Sequence, residues 1–294
     1  MNRQSFIRSA LLFPLAARVM NPKELNNLLS GDNQNENMPV LFVGHGSPMN
    51  AIEDNDFSRS WRNLGETIPK PKAVLCISAH WETNGTQVTA MQNPTTIHDF
   101  GGFPKQLFDV QYPAPGSPEL ATETKHILTK TEVGLDMKWG LDHGAWSVIK
   151  HIYPKADVPV IQMSLDYNQS PQYHYDLGKQ LAAFRKKGVL IVGSGNIVHN
   201  LRMIAWDKIK EQEYGYDWAL QANQTLKTLI MENKHKELIN YSSLGKEVQQ
   251  AIPTPDHFLP LLYALALKEE QEQVSLFNDK AVMGSLTMTS VKIG

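Results

Sequence analysis

The sequence predicts an α/β fold: a single domain with a central mixed, largely parallel sheet flanked by helices. Three observations carry this. Short apolar runs alternate with helical patterns from Met38 onward. Three of those runs close alike, on small residues followed by a histidine: Val43-Gly44-His45-Gly46, Ile77-Ser78-Ala79-His80, and Val192-Gly193-Ser194-Gly195-Asn196, with His199 three residues on. No internal repeat, low-complexity tract or interdomain linker follows Met38, so residues 38–294 read as one domain behind an extension of residues 1–37.

The extension carries Arg3, Arg8 and a short apolar centre around Leu11-Leu12-Phe13, which has a weak signal-peptide look. Pro14 and Arg18 interrupt it, so an amphipathic helix followed by a polar linker at residues 31–37 is the favoured reading. In the body, residues 40–43 and 74–78 read as strands with a helical 57–65 between them, and 88–90 as a short strand. Residues 92–118 are long, irregular and rich in Pro and Gly, yet hold Phe100, Phe103, Phe108 and Tyr112; this predicts a packed lid. Helices are expected over 118–130, 173–186, 214–234 and 257–268, strands over 158–163 and 189–192, and a closing strand over 283–290.

The 294 residues suffice to bury a sizeable core. The net charge of −2 offers no basic field, which argues against a nucleic-acid partner. No run approaches the ~20 apolar residues that a membrane span needs. The single cysteine, Cys76, forms no internal disulfide and suits a reducing compartment, so a cytoplasmic location is expected, with periplasmic export left open by the signal-like start. Ten histidines against one cysteine point to imidazole rather than thiolate ligation.

A histidine between glycines at a strand end is poorly placed for core packing and well placed for chemistry. If the three strands are parallel, His45, His80 and His199 share the carboxyl edge of the sheet, where open α/β folds place ligands. His257 follows Thr254 and Pro255, a plausible N-cap and first helical residue, so it falls in the first turn of a helix. The positive end of the helix dipole would keep its ring neutral, as a metal requires; capping or packing is the bland alternative. His143 lies in Asp142-His143-Gly144, where Asp142 would bias its charge, or else it is a solvated loop residue. His98 sits in the lid beside Asp99, to touch substrate or simply bond Asp99. His126, His151, His174 and His235 read as surface residues. No short-range metal signature is present, and Gly193-Ser194-Gly195 lacks the full nucleophile-turn pattern, so Ser194 reads as a turn or hydrogen-bonding residue.

Several longer motifs carry a resemblance: Gly44-His45-Gly46-Ser47-Pro48-Met49-Asn50, Ser78-Ala79-His80-Trp81, Thr96-Ile97-His98-Asp99-Phe100-Gly101-Gly102-Phe103-Pro104, Gly195-Asn196-Ile197-Val198-His199-Asn200-Leu201 and Thr254-Pro255-Asp256-His257-Phe258-Leu259-Pro260. Together they resemble the DOPA extradiol dioxygenase family, a branch of the class III, LigB-like ring-cleaving enzymes, in family order from about residue 38 to 294. The resemblance implies a LigB-like fold and a ring-opening dioxygenase acting with O₂ on a catechol such as 3,4-dihydroxyphenylalanine (DOPA). It implies metal ligation by His45, His80 and His257, with His199 beside them and sometimes counted as a fourth ligand. More distant LigB-like members carry a carboxylate where His257 stands. His143 and His199 are the implied proton carriers, and Ser47, Trp81 and His98 the implied substrate contacts, although Trp81 would serve equally as core. One divalent ion is expected, Zn²⁺ as the bound form and Fe²⁺ for turnover, since zinc has no redox chemistry. A zinc hydrolase on the same scaffold and a non-catalytic metal- or ligand-binding relative are the alternatives. The oligomeric state is open.

Overall fold

The computed structural model describes residues 37–294. The helix and linker expected over residues 1–37 lie outside the described residues, apart from Asn37.

Ten strands are present among the described residues: β1 (Val40–Gly44), β2 (Ala73–Thr83), β3 (Thr86–Thr89), β4 (Val133–Asp136), β5 (Val160–Asp166), β6 (Val189–Gly195), β7 (Val274–Phe277), β8 (Ala281–Val282), β9 (Leu286–Thr287) and β10 (Ser290–Ile293). Eight of them form one mixed sheet in the order β4-β3-β5-β2-β6-β1-β10-β7. Its centre is parallel, with Leu41 opposite Val192, Leu75 opposite Ile191 and Val74 opposite Val160. β10 and β7 add antiparallel at one side, and β3 meets β5 antiparallel near the other. The α/β class read from the sequence is the class observed.

The central strands are largely apolar because both faces of the sheet are covered. Period-2 alternation divides their side chains: Val40, Phe42, Leu75, Ile77 and Ile191 join one core, and Leu41, Val43, Val74, Cys76 and Val192 the other. Helices α1 (Asp56–Thr67) and α4 (His143–Ile152) bring Trp61, Leu64, Trp146 and Val148 to the second core. Helices α5 (Pro171–Gln180), α7 (Asp217–Met231) and α10 (Leu259–Ala266) bring Leu177, Leu226 and Leu261 to the first. The segment 92–117 is irregular except for the short α2 (Lys105–Phe108). It is packed, as its aromatics predict: Phe100 meets Phe103 at 5.4 Å and Phe108 at 5.1 Å, and the Tyr112 hydroxyl donates to the Tyr153 carbonyl at 2.9 Å.

Several elements differ from expectation, each for a physical reason. The helix expected over 118–130 is the shorter α3 (Pro118–Ile127), and β4 follows. Residues 173–186 divide at Leu181 into α5 and α6 (Ala182–Lys186). The expected strand over 283–290 opens instead on a tight turn, because Met283 and Gly284 both have positive φ (53° and 81°); the short β9 falls within the expected range and β10 starts at its end. Helix α4 was not expected from the sequence, because Gly144, Trp146, Val148 and Ile149 are weak helix formers and it is burial in the fold that holds them helical. Helices α8 (His235–Ile239) and α9 (Lys246–Ala251) also go beyond the sequence reading.

Of the histidines read as surface residues, His126 is exposed and His235 half-buried. His151 is buried, its Nε2–H donating to the Asn50 carbonyl at 2.8 Å. His174 is fully buried, 3.0 Å from the Tyr263 hydroxyl, and burial pushes its pKa down to about 4. The unfolded chain therefore takes up this proton first on acidification. Stability from a neutral His174 is complete above pH ~6.5 and declines as pH falls toward ~4, by roughly 1.4 kcal/mol per unit. Urea titrations between pH 7 and 4 should show this slope in the wild type and a shallower one in His174→Gln.

Candidate metal centre

β1, β6 and β2 lie side by side and parallel, so their carboxyl ends open onto one edge. His45 follows β1, its amide donating to the Gly195 carbonyl at 3.1 Å. His80 lies within β2, where pairing with β5 shifts register between Ile77 and Glu82. His257 arrives from far along the chain in the turn before α10, not inside a helix as expected: α10 begins at Leu259. Its proximity to β6 depends on a glycine. A Cβ on Gly195 would sit 2.1 Å from the His257 carbonyl oxygen, and the Asn196 amide donates to that oxygen at 2.9 Å. Gly195→Ala must push the His257 turn off the sheet edge. The expected cost is about 10–100-fold in metal affinity, the scale seen when support for a ligand is disturbed, measurable by competition with a chelating dye.

The His45 and His80 rings have centroids 4.9 Å apart, His45 and His257 5.3 Å, and His80 and His257 5.0 Å. One ring nitrogen from each lies within 4.8 Å of the others. The hydrogen-bond network assigns their tautomers. The Ser194 hydroxyl donates to the Gly144 carbonyl at 2.5 Å, so it can only accept from His45 Nδ1, 3.0 Å away. His80 Nδ1 faces Asp99 Oδ2 at 3.4 Å, and His257 Nδ1 donates to Asp256. His45 and His257 thus spend Nδ1–H on a protein acceptor and keep Nε2 for a ligand, while His80 Nδ1 lies beside the Asp99 carboxylate. His45 Nε2 and His80 Nε2 are 3.0 Å apart, in hydrogen-bonding contact. A divalent ion between the rings would take both nitrogens as donors. Burial first, then the neighbouring imidazoles, hold the pKa values of His45 and His80 well below the ordinary value, so both rings are neutral donors. The donor set fits a divalent ion.

Two further groupings adjoin it: His80, Asp99 and His143; and His199, Asp256 and His257. The His143 ring centroid is 4.0 Å from His80 and 5.4 Å from His45. Its Nδ1–H and its amide both donate to Asp99, at 2.9 and 2.8 Å. The expected influence of Asp142 on this ring takes another form. Asp142 N-caps α4, accepting from Ser78 Oγ at 2.7 Å, Gln162 Nε2 at 2.6 Å and the Ala145 amide at 3.1 Å. Burial raises its pKa, and the Asp99 charge adds to the rise. His199 stacks flat on His257, 3.5 Å between centroids and 7° between planes. Burial first, then the neighbouring His257, pushes its pKa down to about 3. Burial alone would raise Asp256; hydrogen bonds from His257 and Thr254 outweigh it and hold this carboxyl well below the usual range.

The three expected substrate contacts all have partners within the protein. Ser47 Oγ accepts from the Met49 amide at 3.3 Å and caps the 3-10 turn after His45. Trp81 is buried and stacks on Trp139, 5.7 Å between centroids. His98 donates to the Val110 carbonyl at 3.0 Å, its ring 5.6 Å from Trp146. The residues that sequence reasoning passed over are the acceptors Asp99 and Asp256. Both adjoin a histidine in the sequence, which is a visible signal. Asp256 serves its neighbour His257, whereas Asp99 serves His143, far along the chain.

The chain was compared with known proteins. A family model described as the catalytic LigB subunit of aromatic ring-opening dioxygenase matches residues 39–292. A 4,5-DOPA dioxygenase extradiol of Escherichia coli K12 is 47% identical over 262 residues, 87% of this chain and 95% of that protein. One from Beta vulgaris is 37% identical, covering 86% of this chain and 95% of its own length. Among solved structures, an uncharacterized protein of Escherichia coli K12 superposes with a TM-score of 0.76 at 42% identity, covering 87% of this chain and all of the other.

Proposed function

This chain belongs to the LigB family of aromatic ring-opening dioxygenases and is an extradiol ring-opening dioxygenase, and on that premise we propose that it opens a DOPA-type catechol by 4,5-cleavage at the His45, His80 and His257 centre. The observation that carries the proposal is the meeting of three imidazoles from distant segments, with one ring nitrogen of each within 4.8 Å of the others. When bound there, a divalent ion supplies acidity to coordinated hydroxyls and, if redox-active, a path for electrons between ring and O₂. Both oxygen atoms enter the product, so no external reductant is needed.

His143 keeps Nε2 free for the proton released when the catechol binds, while Asp99 holds Nδ1–H and stabilises the imidazolium that results. His199 is neutral at pH 7 and is the second proton carrier, aligned by its stack on His257. Its grouping with Asp256 and His257, apart from His45 and His80, favours this role over that of a fourth ligand. Phe100, 5.5 Å from the His143 ring, covers the site from the lid side and limits access of water. Trp81, Ser47 and His98 shape the surroundings of the substrate through the elements they brace. The catechol and O₂ are the partners. No helix among the described residues is long and apolar enough to cross a membrane. The buried free thiol of Cys76 favours a reducing, cytoplasmic setting.

Zinc suits the imidazole set and is the ion expected after aerobic purification; Fe(II) is the ion expected for turnover. Chelator-stripped protein reloaded anaerobically with Fe(II) should, on admitting air, consume one O₂ per DOPA and form the ring-opened product. Zinc-loaded protein should form none. Oxygen uptake without ring opening, or equal rates with zinc and iron, would refute the assignment.

A further inference from the structure

Asp99 belongs to the irregular 92–117 segment, not to the sheet that carries the histidines. Its carboxylate nevertheless reaches two imidazoles at once. Oδ2 is 2.9 Å from His143 Nδ1 and 3.4 Å from His80 Nδ1. Oδ1 accepts the His143 amide at 2.8 Å, at the first turn of α4. We propose that Asp99 is a positioning residue that sets the tautomer of His143 beside His80, so that seating of the lid is what arms the centre.

The argument is one of donors and acceptors. A carboxylate only accepts, so His143 must present Nδ1–H to Oδ2. That ring is then obliged to leave Nε2 bare for a proton, while the same oxygen lies 3.4 Å from His80 Nδ1. No other hydrogen-bond partner competes for His143 Nδ1, and that ring is 4.0 Å from His80, so the two rings are held as a pair. The lid meets the same helix through a hydrogen bond and a ring contact: Trp146 Nε1 donates to the Ile97 carbonyl at 2.8 Å and Phe100 packs on Trp146. A lid that lifts takes the acceptor away from His143 Nδ1 and the carboxylate away from His80 in one motion. The inference rests on His143 acting as the proton carrier, but its structural core is testable without turnover.

The test uses Asp99→Asn. Asparagine keeps an oxygen for the His143 amide, so the loop stays seated, and it presents N–H₂ where Oδ2 stood. His143 must then turn Nδ1 into an acceptor and carry its proton on Nε2. In ¹⁵N-imidazole spectra of the metal-loaded protein, the wild type is expected to show His143 as Nδ1–H and Asp99→Asn as Nε2–H. kcat should fall about 10–100-fold with KM nearly unchanged. An unchanged His143 tautomer in Asp99→Asn would overturn the inference. Should the wild type turn over no catechol at all, the functional assignment falls while the spectra still decide this point.

Discussion

Replacing His257 by alanine is expected to leave a folded protein without its metal and without turnover. The side chain is buried and its backbone carbonyl, which holds the turn against β6, is untouched by the substitution. What disappears is one of three Nε2 donors, the acceptor-matched partner of Asp256, and the face on which His199 stacks. Two imidazoles remain, and His199 loses the surface that orients it. The loss must exceed the ~10–100-fold that disturbing a supporting residue costs, so metal content after dialysis should drop from near-stoichiometric to background. Elemental analysis beside circular dichroism reads both halves of the prediction. Retained metal would show that the ion sits elsewhere, in the grouping around Asp99 or not in this cluster at all.

The second large effect is expected at His143 and has the opposite signature. His143→Ala should keep the metal and lower kcat by about 10²–10⁴-fold, the range for removing a general acid or base. The ring lies against His80, yet its Nδ1 is committed to Asp99 and its Nε2 is left for a transferred proton. His143→Gln restores a polar group but no basic nitrogen, so it should not recover the rate. Loss of metal in His143→Ala would make this residue a ligand; an unaltered kcat would remove it from the chemistry. Measuring metal and kcat in the same preparations keeps the two possibilities apart.

The His45 and His80 rings illustrate what was legible from residues alone. An apolar run followed by glycine or small residues is a local pattern, and it announces a strand end whatever the rest of the chain does. β1, β2 and β6 were therefore readable, and their parallel adjacency follows from the alternation of strands and helices. Helix α4, which carries His143, was not readable, because Gly144, Trp146, Val148 and Ile149 are weak helix formers whose local preference tertiary burial overrides. His174 and His151 were misplaced to the surface for a related reason. A polar residue in a polar stretch looks exposed until its partners, Tyr263 and the Asn50 carbonyl, are brought to it by the fold.

By itself the sequence determined the class of fold, the strand ends and the imidazole character of the site, since each depends on residues within a few positions of one another. Only the tertiary structure decided which acceptor holds which ring. His143 takes Asp99 from the lid instead of its own neighbour Asp142, and His45 takes Ser194 from another strand. A hydrogen bond is specified by position in space to within a few tenths of an ångström, and the closure of long loops that creates such positions leaves no trace in local composition.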